Sequence, residues 1–121
     1  EIAAIEYAIA ELGVRNIVIC AHTECGAVKA SVATGDDKLG YIGLDNWLGL
    51  IKAGFKINKP KDAADGVRIN LLHQVQNLKT YPGIGEMLAS KELTLNAWIY
   101  DVHSGHMLEW SNEKRDFVQI V

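Results

Sequence analysis

Asn16-Ile17-Val18-Ile19-Cys20 is a short run built on β-branched side chains, with almost no polar alternation. Set between Gly13 and Gly26, it predicts a strand covered on both faces, as strands of a parallel sheet are. Upstream, Ile2, Ala3, Ile5, Tyr7, Ala8, Ile9 and Leu12 stand among few polar residues. They predict a largely buried helix over 1–12, with Gly13 as its C-terminal stop. Downstream, Gly26-Ala27-Val28-Lys29-Ala30-Ser31-Val32 starts a second helix. The beginning of the chain therefore reads helix, strand, turn, helix, which is an α/β pattern.

The remainder extends that pattern. Residues 34–46, with Thr34-Gly35-Asp36-Asp37 and further glycines, predict a loop. Asp45-Asn46-Trp47-Leu48 then reads as a helix start. Lys56 to Lys61, with Pro60, is a connection. Asp65 or Gly66 caps a further helix carrying Val67, Leu71, Leu72, Val75 and Leu78, which Pro82 ends. A short helical turn fits between Ile84 and Ser90. Leu93 to Val102 alternates as a strand does. His103-Ser104-Gly105-His106 supplies a hairpin turn, and Met107 to Trp110 an antiparallel edge strand. No repeat, low-complexity tract or linker divides the chain. The fold class is thus α/β over a single domain, 1–121: a mostly parallel sheet flanked by helices, with an antiparallel C-terminal edge hairpin. Glu1 leads directly into apolar helical sequence without Met or a polar lead-in, so the chain is expected to be a piece or processed product of a longer protein.

Charge and composition remove several classes of function. A formal net charge of −3 and a pI near 5.8 give no support to nucleic-acid or anionic-membrane binding, and no basic run reverses this. Glu6, Glu11 and Arg15 interrupt the apolar stretches, so no transmembrane span is expected, and no signal peptide is visible. Only two cysteines, Cys20 and Cys25, argue against a disulfide framework. They point to a reducing environment, cytoplasmic or the lumen of an organelle or microcompartment.

His22-Thr23-Glu24-Cys25 carries the chemistry. His and Cys are common zinc ligands, and these two flank a predicted strand-to-helix turn where both side chains can face one pocket. The positive end of the helix dipole there favours a thiolate. As residues alone, a hydrogen-bonded His and a small buried Cys explain the pair more simply, because two ligands do not close a zinc site. Two features favour the metal. The pair lies beyond the carboxyl end of a strand, where open α/β sheets place their sites. Gly26 also follows, leaving a backbone N–H room to approach a small anion.

Cys20 competes as a ligand, although a buried structural thiol is the simpler reading. Asn70, Gln74 and Asn77 form one amide row on a helix whose other face is apolar. They serve either as a solvated face or as buried hydrogen-bonding groups near a site. His73 lies off that row and reads as a surface or partner-facing residue. His103 and His106 read as exposed turn residues. Glu24, inside the motif, is not assigned as a general base.

Taken together these segments resemble the β-class carbonic anhydrases. Ile5-Glu6-Tyr7-Ala8 and the stretch from Asn16 to Ala30 are similar to that family's helix, strand and H-x-x-C-G zinc turn. Asn46-Trp47-Leu48 is similar to a family helix start. Asn70-Leu71-Leu72-His73-Gln74-Val75-Gln76-Asn77-Leu78 resembles its N-[VL]-x-x-Q-V-x-N-L helix. Leu93 to Asp101 with Ser104-Gly105 resembles its closing strand and hairpin. The resemblance implies a β-carbonic-anhydrase fold and a zinc enzyme that interconverts CO2 and bicarbonate and assembles as a dimer or higher homo-oligomer. It implies zinc held by two Cys and one His, of which His22 and Cys25 match two, with the Gly26 N–H facing the substrate. Metal binding would bring the pKa of water down toward about 7.

The family's other Cys ligand lies in a C-x-D-x-R segment on an earlier strand, with an Asp-Arg pair beside the metal. No such segment occurs in these 121 residues. No catalytic residue is therefore identified, and the Asp-Arg pair is expected upstream. Cys20 does not replace the absent ligand, since it matches a strand-end position that is often Cys in the family. Ala21 stands where a glycine usually precedes the His. These departures leave two rival expectations beside carbonic anhydrase activity: a non-catalytic scaffold or assembly protein, and a CS2 or COS hydrolase on the same fold.

Overall fold

The computed structural model describes residues 1–121, which form five helices and four strands. Helix α1 (Ile2–Ala10) ends where Gly13, at φ 69°, lets the Val14 N–H return to the Ala8 carbonyl at 3.0 Å. Strand β1 (Asn16–His22) leads through a tight turn into α2 (Gly26–Thr34). Helix α3 (Ile42–Ile57) begins earlier than Asp45-Asn46 suggests. Asp45 is no N-cap: it lies in the first turn and reaches back, its carboxylate accepting from Leu39 N at 2.7 Å and Gly40 N at 2.9 Å. Helix α4 (Ala63–Lys79) is likewise capped by Asp62, not by Asp65 or Gly66. Asp62 accepts from Asp65 N at 2.8 Å, and Asp65 accepts in turn from Lys61 N at 2.9 Å. This reciprocal arrangement satisfies two exposed donors of the helix entrance. Helix α5 (Ile84–Ala89) follows, then β2 (Thr94–Tyr100), β3 (Met107–Ser111) and β4 (Asp116–Gln119).

The sheet runs in the order β1-β2-β3-β4. It is parallel at its start, where β1 pairs with β2 from Asn16↔Thr94 to His22↔Tyr100. It is antiparallel at β2–β3 and β3–β4. Two sequence expectations need correction. Met107–Ser111 is an inner strand, because β4 pairs outside it and forms the edge. Strand β1 is also not covered on both faces. It is an edge strand whose residues alternate between exposed and half-buried, and Val18 is 42% exposed.

That alternation follows from where the helices lie. Ile17, Ile19, Ala21, Leu95, Ala97, Ile99, Leu108, Trp110 and Phe117 point to one face of the sheet and join the two apolar clusters. The larger cluster holds Val28 of α2, Leu48 and Ile51 of α3, and Val67 and Leu71 of α4. The smaller holds Ile9 of α1, Leu78 of α4, Ile84 of α5 and Leu93. Close helix packing needs small residues at crossings. A Cβ on Gly66 would lie 2.9 Å from Val28 and 3.2 Å from Phe55, and one on Gly54 would lie 3.0 Å from His73. No helix is long and apolar enough to cross a membrane.

Candidate functional site

Strand β1 delivers His22 at its carboxyl end, and the chain then reverses within two residues. Glu24 takes up the left-handed conformation at φ 58°, uncommon for a residue with a β-carbon. Its carboxylate is ion-paired with Lys29 on the next turn of α2. The Lys29 hydrogen bond and charge hold the Glu24 carboxyl below its ordinary range. Cys25 is the N-cap of α2, at φ −64° and ψ 115°, and Gly26 is the first helical residue. His22, Cys25 and Gly26 thus share one turn.

His22 Nδ1 lies 2.9 Å from the Thr23 carbonyl. A carbonyl only accepts, so Nδ1 carries the hydrogen and Nε2 keeps its lone pair. The Cys25 side chain makes no capping hydrogen bond; it is half-buried and packs against the larger apolar cluster at the N-terminus of α2. Gly26, as first residue of the helix, has no intrahelical acceptor for its N–H, and the space where a Cβ would stand is open. One imidazole nitrogen and one thiol form a donor set suited to zinc. No three His, Cys, Asp or Glu side chains of the chain are grouped to hold a metal ion.

Both cysteines are free thiols. Cys20 is exposed, not the buried structural thiol that the sequence suggested. Strand alternation puts it on the same face of β1 as His22, where it donates to the Ala21 carbonyl at 3.4 Å.

Sequence reasoning missed the brace behind the turn. Thr23 Oγ1 donates to Asp101 Oδ1 at 3.2 Å and accepts from Val102 N at 3.1 Å, while Thr23 N donates to the Tyr100 carbonyl at 2.9 Å. Asp101 also accepts from Ser104 Oγ at 2.7 Å and His103 N at 3.0 Å. The Ser104 hydroxyl, then the His103 N–H, hold the Asp101 carboxyl below the usual carboxylate range, with Thr23 adding to them. Asp101-x-x-Ser104-Gly105 carries the signal of a side-chain-closed turn. Its attachment to Thr23 had no sequence signal.

The remaining candidates lie elsewhere. The amide row bonds along itself: Gln74 donates to Asn70 and Asn77 donates to Gln74, each at 3.2 Å. His73 is half-buried against Gly54 of α3. His103 is exposed as expected, but His106 is half-buried, and its Nδ1 is buried without a partner.

Comparison with known proteins gives this geometry a family. The carbonic anhydrase family model matches residues 1–107. Carbonic anhydrase 1 of Escherichia coli O157:H7 is 33% identical over 98% of the chain and 57% of its own length. A carbonic anhydrase of Pseudomonas aeruginosa is 35% identical over 98% of the chain and 56% of its own. Among solved structures, the β-carbonic anhydrase CcaA superposes with a TM-score of 0.81 at 30% identity, covering 99% of this chain and 62% of that one. A tetrameric β-carbonic anhydrase from Sordaria macrospora gives 0.70 at 29% identity, over 89% and 58%. The chain belongs to the β-carbonic anhydrase family. It spans a little over half the length of these curated relatives.

Proposed function

We propose that the whole protein catalyses the zinc-dependent, reversible hydration of CO2 to bicarbonate, with His22 and Cys25 as two of the zinc ligands. The observation that carries this reading is the free Nε2 of His22 and the uncapped thiol of Cys25 on one turn, in a chain matched by the family model from end to end of that turn. Bound zinc would supply the Lewis acidity that lowers the pKa of water toward about 7. This chain's own residues orient and bind. The Thr23 carbonyl fixes the His22 tautomer, Cys25 stands at the α2 N-terminus, and the Gly26 N–H is offered to a substrate oxygen. Two ligands fall short of the three protein ligands of a catalytic zinc site; the family resemblance assigns the third, with an Asp-Arg pair, to a C-x-D-x-R segment outside residues 1–121. The protein is read as a homo-oligomer, dimer or higher.

Metal analysis of the intact natural protein tests the ligand assignment. His22→Ala and Cys25→Ser should each abolish stoichiometric zinc and reduce CO2 hydration to background. One zinc per subunit retained in both variants would overturn it. The two rival readings differ in readout: turnover of CS2 or COS without CO2 hydration marks the hydrolase, and zinc-free protein without turnover marks the scaffold.

A further inference from the structure

A cavity of about 1040 Å³ lies on the helix side of the sheet, and no residue of the His22–Gly26 turn lines it. It follows α4 from Asp65 to Lys79, about 21 Å at 1.5 Å per residue. The amides Asn58, Gln76, Asn77, Asn96 and Asn112 share its lining with an apolar floor of Leu72 and Val75 of α4, Leu95 and Ala97 of β2, and Trp110 of β3. All of these apolar residues but Ala97 are only half-buried, so the chain leaves this floor partly uncovered. Trp110 is fixed there by donating Nε1–H to Asn112 at 2.9 Å and by edge-on packing against Phe117.

The rim is cationic. Lys59, Lys79 and Arg115 line it against a single acid, Asp65, whose carboxylate already accepts from Lys61 N. None of the three cations is ion-paired; the pairs of the molecule are Lys29–Glu24 and Arg68–Asp116. Helix C-termini favour Lys59 and Lys79 where they stand, but Arg115 sits on the β3–β4 turn and has no such reason. In a chain of net charge −3 this is a local reversal of sign.

We propose that this groove docks an acidic amphipathic segment of a partner protein, its apolar side chains on the floor and its carboxylates against Lys59, Lys79 and Arg115. Length and chemistry choose that occupant. A small inorganic anion would leave the apolar floor wet, whereas a helix of about 14 residues matches the groove and presents an apolar stripe with acids beside it. The proposal is independent of the catalytic reading.

The test is fluorescence anisotropy of the intact natural protein with a labelled helical peptide of about 14 residues, Leu on one face and Glu on the rest. Saturable binding is expected. The charge-reversed protein K59E/K79E/R115E, altered only at exposed positions and checked for an unchanged melting curve, should bind at least about tenfold more weakly. A peptide with Lys for Glu should reverse the preference, and one with Ser for Leu should not bind. Absent binding, equal affinity of the charge-reversed protein, or equal binding of the Ser peptide overturns the proposal. A change of oligomeric state in the charge-reversed protein, without peptide binding by the parent, would assign the groove to contacts between copies and overturn it equally.

Discussion

At the scale of single residues, Thr23 braces the candidate site between the two residues proposed as ligands. Its carbonyl fixes the imidazole of His22, and its hydroxyl ties that turn to the β2–β3 corner through Asp101 and Val102. Thr23→Val keeps the carbonyl and the shape but removes both hydroxyl bonds. It should cost about 1–3 kcal/mol, because Val102 N–H then loses its acceptor. Zinc affinity of the intact protein should also fall, by less than the roughly 10–100-fold that follows removal of a direct partner of a metal-bound His. Thr23→Ser should restore both. Urea unfolding and chelator competition measure the two effects; unchanged zinc affinity in Thr23→Val would show that the brace serves the fold alone. The turn that carries His22, Cys25 and Gly26 was legible because a β-branched run followed by a glycine and a helix start is a local signal. The Thr23–Asp101 bond joins residues 78 apart in sequence, a distance across which a lone Thr and a lone Asp carry no mutual signal. Burial was legible only in part: Cys20 is exposed because it lies on the face of the sheet that no helix covers.

At the scale of elements, the existence of each helix followed from its apolar periodicity, whereas the starts of α3 and α4 did not. Several Asp residues stand near each start, and any of them can accept from a helix N-terminus. Reciprocity decides for α4, since Asp62 takes the Asp65 N–H while Asp65 takes the Lys61 N–H. In α3 the chain turns earlier, at Tyr41, and Asp45 closes the preceding loop from inside the helix. Neither choice is visible in residue type alone. Gly66 shows what periodicity omits. It looks like a cap in sequence, yet it is a buried crossing point where α2, α3 and α4 meet. Gly66→Ala should destabilise by about 1–3 kcal/mol, outweighing the gain in helix propensity of about 1 kcal/mol. The pressure falls first on Val28 Cγ1, at 2.9 Å from the added carbon. Truncating that side chain as well should recover part of the loss beyond additivity, read as the coupling in a Gly66→Ala/Val28→Ala double-mutant cycle. Strict additivity in that cycle would mean that the helices separate instead of pressing on Val28.

At the scale of the whole molecule, the α/β class and the parallel start of the sheet were legible, but the distribution of layers was not. An uninterrupted run such as Ile17-Val18-Ile19 looks doubly covered, yet both apolar clusters draw on one face of the strands, and Val18, Tyr100 and Ile120 remain 40–42% exposed. Strand β4 escaped notice because Asp116–Gln119 is short and follows a polar turn. What joins these layers near the surface is carboxylate chemistry. Asp45 closes the loop before α3, Asp101 joins the two turns at the site, and Asp116 pairs with Arg68 and so ties β4 to α4. All three carboxyls are held below their ordinary range. The Leu39 N–H is the main cause for Asp45, the Ser104 hydroxyl for Asp101 and the Arg68 guanidinium for Asp116. A carboxyl depressed in the folded state binds fewer protons there than in the unfolded chain, where Asp titrates near 3.9. Stability is therefore fully present above about pH 4 and is lost as pH falls through the lower folded values. The urea midpoint should stay level with respect to these three groups from neutral pH down to about 5 and fall below about 4. Asp116→Asn should flatten part of that fall, and salt should reproduce the effect by screening the exposed Arg68 pair. The Asp45 share should resist salt, because its partners are backbone N–H groups with no net charge. A midpoint in Asp116→Asn that falls with pH as steeply as in the parent would remove the Arg68 pair from this account.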